Sequence, residues 1–171
     1  NVSGAVAATI KDLTIEASGE RAINLIQGAS NVTISNVKAT AANYAVNVAA
    51  SAAGSTIEIE NSDLTGLNTV NVAAANTNVT IDNSVVNNVD NTAVENYAAL
   101  KLSIEAENST ITVTNTTINV SDDSVKASVS SKTGIITIGG TDAEVKRTTS
   151  IVICWGDFVV TVTSGTSMRM V

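Results

Sequence analysis

Short alternating runs of aliphatic and polar residues return along this chain at nearly fixed intervals. "VTISN" ends at Asn36, "IEIEN" at Asn61, "VTIDN" at Asn83, and "STITVTNTTINV", residues 109–120, carries the same phrase to Asn115. Weaker copies end at Asp12, Gly140 and Ser164, so the steps are 24, 25, 22, 32, 25 and 24 residues. Period-two alternation predicts strands whose successive side chains point to opposite faces. Recurrence at a fixed step predicts a stack of similar units.

The columns of the repeat sharpen this. Four places before the shared position stand Ala8, Val32, Ile57, Val79, Ile111, Ile136 and Val160. Two places before it stand Ile10, Ile34, Ile59, Ile81, Val113, Ile138 and Val162. Three places after it come Ile15, Ala39, Leu64, Val86, Ile118 and Ala143, with Ser167 breaking the column. These columns face one core. The shared position, filled by Asp, Asn, Gly or Ser, suits left-handed backbone and local side-chain bonding, which predicts a corner. A second strand follows each corner, "INL" at 23–25, "VNV" at 46–48 and again at 70–72, "LKL" at 100–102, "VKA" at 125–127 and "IVI" at 151–153. Only the fourth is delayed, which locates an insertion within residues 87–99.

Short strands of this kind cannot bury their apolar faces alone, whereas stacked copies make a continuous core. A β-sandwich explains the short strands but not the recurring columns. The expected fold is all-β, a single-stranded right-handed parallel β-helix, or β-solenoid, of about seven coils spanning residues 1–171 as one domain. With its coil length and its corner residues Asn36, Asn61, Asn83 and Asn115, the sequence resembles the right-handed pectate-lyase-like β-helices. In character it is similar to the non-catalytic adhesive surface repeats of that superfamily. The resemblance implies a structural asparagine ladder at those four corners.

Composition narrows the chemistry. Apolar residues make up 44% of the chain but aromatics only 2%, so the core is built from Ala, Val, Ile and Leu. A net charge of −7 leaves no basic stripe for phosphates, and nucleic acid is not an expected partner. Cys154 stands alone in "SIVICWGDF", which forbids a disulfide within the chain and a cysteine-based metal site. No apolar run is long enough for a transmembrane helix. Acidic balance with abundant Asn, Thr and Ser suits an extracellular or cell-surface protein.

Enzymes of the resembling superfamily cleave polysaccharides with clustered carboxylates, with calcium and a base, or with an acid and base pair. The candidates here are Glu58, Glu60 and Asp82, outward on neighbouring coils. Without His, with Arg only at 21, 147 and 169, and with almost no aromatic platforms, they read as a solvated patch. No catalytic residue, metal ligand or cofactor is assigned; Asp90, Asp122 and Asp123 read as turn residues.

One outward file stands out, with Thr9, Thr33, Thr80, Thr112, Thr137 and Thr161 interrupted by Glu58. It is a speculative binding face, for ordered water or ice, although β-propensity on a solvated sheet explains it too. The adjacent file, Lys11, Ser35, Glu60, Asp82, Thr114, Gly139 and Thr163, is interrupted by charge. Another file, Asn24, Asn47 and Asn71 followed by Lys101 and Lys126, predicts a hydrogen-bonded ladder. Several Asn-x-Ser/Thr triplets occur, including those at Asn31, Asn78, Asn108, Asn115 and Asn119, of which exposed ones suit glycosylation while ladder-bound corners do not.

Neither end of the repeat shows a capping element, so self-association through uncapped ends is expected. The functional expectation is a non-catalytic extracellular structural protein, a surface adhesin or stalk module or an end-to-end stacking filament subunit, not an enzyme. The alternatives are a β-helix that binds or cleaves a surface polysaccharide, and an ice-binding solenoid.

Overall fold

The computed structural model describes residues 1–4, 7–89, 97–121 and 124–139, together with the backbone of strand 160–163. The chain is a parallel β-solenoid. Its strands are β1 (Ala7–Ala17), β2 (Arg21–Leu25), β3 (Asn31–Ala41), β4 (Tyr44–Val48), β5 (Thr56–Glu60), β6 (Asp63–Gly66), β7 (Val70–Val72), β8 (Asn78–Asp82), β9 (Val85–Asn88), β10 (Ala98–Leu102), β11 (Thr110–Thr114), β12 (Thr117–Asn119), β13 (Val125–Val129), β14 (Ile135–Gly139) and β15 (Val160–Thr163).

Two parallel sheets wrap the core. A 10-stranded sheet bends at the corners; β1 and β3 run through the bend, and from the third coil onward separate strands stand on its two sides. The upstream limb continues β3-β5-β8-β11-β14-β15, and the downstream limb β3-β6-β9-β12. The second sheet is β2-β4-β7-β10-β13. Five turns are complete, fewer than the seven expected, because the second sheet holds five strands. Among the described residues the sixth and seventh coils contribute β14 and β15; the expected corners at 140 and 164 and the strand at 151–153 lie outside the described residues.

The sequence columns are the pairing register. Ala8 pairs with Val32, Val32 with Ile57, Ile57 with Val79, Val79 with Ile111, Ile111 with Ile136 and Ile136 with Val160. The column three places past the corner pairs likewise from Ile15 through Ala39, Leu64 and Val86 to Ile118. Each layer is sealed by its neighbours: Ile34, Ile57, Ile81 and Ile111 are fully buried. Ala8, Ile10 and Ile15 of the first coil, where β1 pairs with β3 alone among the described strands, are only partly buried.

At the start of the chain Val2 bridges to Leu25 in parallel, and Asn24 donates to the Asn1 side chain. Asn1 and Val2 thus stand over Asn24 and Leu25 as these stand over Asn47 and Val48. Around the insertion, Val85–Asn88 and Ala98–Leu102 are strands, and residues 90–96 lie outside the described residues.

Candidate functional site

The corner positions have the backbone their residue types imply. Asp12, Asn36, Asn61, Asn83 and Asn115 all have positive φ, from 45° to 56°. Left-handed backbone costs a residue with a large or branched side chain most and Asn or Asp least, since their side chains bond locally. Asn36 donates to Asp12 Oδ1 at 2.9 Å, and Asn83 to Asn61 Oδ1 at 2.6 Å. Asn115 donates to Asp82 Oδ1 at 2.9 Å, one residue off the corner column. These corners are exposed, contrary to the burial expected of a ladder, because the bend projects them beyond both limbs of the sheet.

The buried amide ladder is the other file. Asn24 donates to Asn1 Oδ1 at 3.0 Å, Asn47 to Asn24 Oδ1 at 2.7 Å and Asn71 to Asn47 Oδ1 at 2.8 Å, and the Ser103 hydroxyl donates to Asn71 Oδ1 at 3.0 Å. Asn47 and Asn71 are 6% and 5% exposed. Lys101 continues this file opposite Asn71, but Lys126 does not, since Lys101 pairs with Ser128. The apolar alternation decides that register, setting Ala127 opposite Leu100 and Val129 opposite Leu102. Lys126 lies two places before that level, and its Nζ is buried with no hydrogen-bond partner among the described residues. Burial lowers its pKa from 10.5 to about 8.

Further ladders follow the same rule. Asn68 donates to Asn43 Oδ1 at 3.0 Å, Asn87 to Asp63 Oδ1 at 2.8 Å and Asn119 to Asn87 Oδ1 at 2.8 Å. In each of these ladders the later coil donates and the earlier coil accepts. The direction explains why Asp12, Asp63 and Asp82 serve as receiving rungs: a carboxylate accepts and has nothing to donate.

Two files of hydroxyls escaped the sequence reading. One place after the corner, Ser62, Ser84 and Thr116 donate to the carbonyls of Glu60, Asp82 and Thr114 at 2.7 to 2.8 Å. The same oxygens accept the backbone N–H of Val37, Ser62 and Ser84 from the preceding coil. Six places before the corner, Ser55, Thr77 and Ser109 are fully buried, with Ser55 bonding the Ala29 carbonyl and Ser109 the Ala74 carbonyl. The signal was the recurrence of Ser and Thr at those two offsets.

The threonine file is straight. Thr9 pairs with Thr33, Thr33 with Glu58, Glu58 with Thr80, Thr80 with Thr112, Thr112 with Thr137 and Thr137 with Thr161. Thr9, Glu58 and Thr80 are exposed and Thr33, Thr112 and Thr137 half-buried; the Thr161 side chain lies outside the description. Glu60 pairs with Asp82 on adjacent strands, and all three candidate carboxylates stand on the outer sheet face. The Thr114 hydroxyl and then the Asn115 amide, both donating to Asp82 Oδ1, hold that carboxyl below its ordinary 3.8.

Two shallow grooves follow the corner, one of about 390 Å³ beside Asp12, Asn36 and Lys38, the other of about 430 Å³ beside Asn83, Val85 and Asn115. They share Asn61 and Asp63. Among the described residues, no group of three or more His, Cys, Asp or Glu is gathered as for a metal ion. Asp90, Asp122, Asp123 and Cys154 lie outside the description. No helix among the described residues is long and apolar enough to cross a membrane. Comparison with protein-family models, curated proteins and solved structures finds no match to this chain.

Proposed function

We propose that the chain is a non-catalytic structural module of an extracellular or cell-surface protein, a β-solenoid stalk or adhesin spacer, or a subunit that stacks end to end. The observation that supports this is how its polar side chains are used. Asn24, Asn47, Asn71, Asn83, Asn87 and Asn119 each hold one coil to the coil before it. Such a column transmits load along its axis through aligned side-chain and backbone bonds, and the outward carboxylates Glu58, Glu60 and Asp82 line neither corner groove.

Stacking is the finer part of the reading, and it draws on the partly buried Ala8, Ile10 and Ile15 of β1, whose other edge pairs with no strand among the described residues. A further parallel coil laid on that edge completes the apolar columns, whether from the same protein or a second copy. Electron microscopy of concentrated protein tests it: rods longer than one chain support stacking, and monodisperse monomers overturn it. Release of sugar from acidic polysaccharides overturns the non-catalytic reading.

A glycan-binding reading is favoured by one feature, the pair of adjoining corner grooves lined by amides and carboxylates. Retention of the chain on an immobilised polysaccharide, lost in Asn61→Leu, supports that reading, and absence of retention rejects it.

A further inference from the structure

Three asparagines in this chain, Asn61, Asn83 and Asn108, are followed by serine, and none by glycine. A small following residue leaves its backbone nitrogen free to attack the asparagine side chain, so by sequence the three are equal in susceptibility. The structure separates them through what holds that nitrogen. Ser62 N donates to Ser84 Oγ at 3.1 Å, and Ser84 N donates to Thr116 Oγ1 at 3.2 Å. Both nucleophiles are tied to the next coil.

At Ser109 the equivalent tie is missing. In its file Thr77 N donates to Ser109 Oγ at 2.9 Å, but Thr110 pairs with Ile135, which sets Gly134 opposite Ser109. Glycine offers no hydroxyl, and the Ser131 hydroxyl beside it donates to the Ala106 carbonyl, so the Ser109 N–H makes no hydrogen bond among the described residues. The leaving amide is also held more loosely than at Asn83, with Asn108 Nδ2 3.4 Å from Asn76 Oδ1 against 2.6 Å for Asn83 on Asn61. From Asn61, which only accepts in its ladder, the tied nitrogen alone separates Asn108. Asn108 is exposed to water at a corner with φ of 54°.

We propose that Asn108 is a site of spontaneous deamidation through a cyclic imide. Ser109 N attacks Asn108 Cγ, the new N–Cγ bond forms as the Cγ–Nδ2 bond breaks, and Nδ2 leaves as ammonia with the proton released by Ser109 N. Water then opens the ring at either carbonyl, giving aspartate or isoaspartate. The isoaspartate adds a methylene to the main chain between β10 and β11, and either product adds a carboxylate beside Glu107.

Ageing the folded chain in mildly alkaline buffer, followed by peptide mass mapping, tests this. A gain of one mass unit is expected to accumulate several-fold faster at Asn108 than at Asn61 or Asn83; equal or reversed rates overturn the proposal. In denaturant the three rates are expected to converge, and persistence of the folded-state ratio overturns the structural cause. Ser109→Thr keeps the buried hydroxyl but crowds the attacking nitrogen, so it is expected to slow modification at Asn108 alone. An unchanged rate there overturns the cyclic-imide route.

Discussion

Asn71 donates its side-chain N–H to Asn47 Oδ1 at 2.8 Å, and both amides are buried on the outward side of the second sheet. Asn47 in turn donates to Asn24, so it is bonded on both sides. Replacing Asn47 with Ala removes both bonds and leaves Asn71 Nδ2 buried without its acceptor. A buried orphan costs about 1–3 kcal/mol, so Asn47→Ala is expected to destabilise by about 2 kcal/mol. Urea unfolding measures it; a loss below about 0.5 kcal/mol contradicts the ladder's contribution.

The direction of the ladders makes a second prediction. Asn61 accepts from Asn83, whereas Asn83 donates to Asn61. Aspartate keeps an acceptor but loses the donor. Asn61→Asp is therefore expected to change stability by less than about 0.5 kcal/mol at neutral pH, and Asn83→Asp, which faces oxygen to oxygen, to cost about 1 kcal/mol or more. Comparison of the two melting curves decides it. Equal losses contradict the assigned polarity.

Gly66 marks a close approach between coils. A Cβ built there meets the Asn43 carbonyl oxygen at 2.5 Å and Ala45 N at 3.2 Å, both backbone atoms that cannot swing aside. Gly66→Ala is expected to cost at least about 2 kcal/mol as the coil is pushed off its neighbour. Gly19, with nothing within 4 Å of a built Cβ, is the control, and Gly19→Ala is expected to be near neutral. Thermal melts of the pair measure the difference.

Much of this was legible because a solenoid repeats its environment. The aliphatic columns running from Ala8 to Val160 and from Ile10 to Val162 fixed the register, since a one-residue slip would turn every inner side chain outward. The corner asparagines were equally readable from their preference for left-handed backbone. What the sequence hid was direction and depth. Nothing in the letters says that Asn36 projects while Asn47 is enclosed, since both recur at the same step. The Ser62 and Ser84 hydroxyls were hidden because serine at a turn has an ordinary local explanation. Lys126 was misplaced because counting from the corner ignored where the apolar alternation of β13 falls. The grooves along Asn61 and Asp63 depend on how sharply the sheet bends, which no column records.

Lys126 carries the last prediction. Burial of its Nζ, with no hydrogen-bond partner among the described residues, lowers its pKa from 10.5 to about 8. Desolvation disfavours the ammonium, so between about 8 and 10.5 the unfolded chain binds more protons than the folded one. Stability is therefore expected to rise with pH through that window and to be flat in this term below it. The side chain is only half-buried and solvent screens it, so the total rise is about 1 kcal/mol. Lys126→Met replaces the ammonium with an apolar group of similar length. It is expected to stabilise the fold at neutral pH by about 1 kcal/mol and to flatten the alkaline slope. Denaturant midpoints of both proteins across the window measure the effect, and a slope unchanged in the variant assigns it to another group.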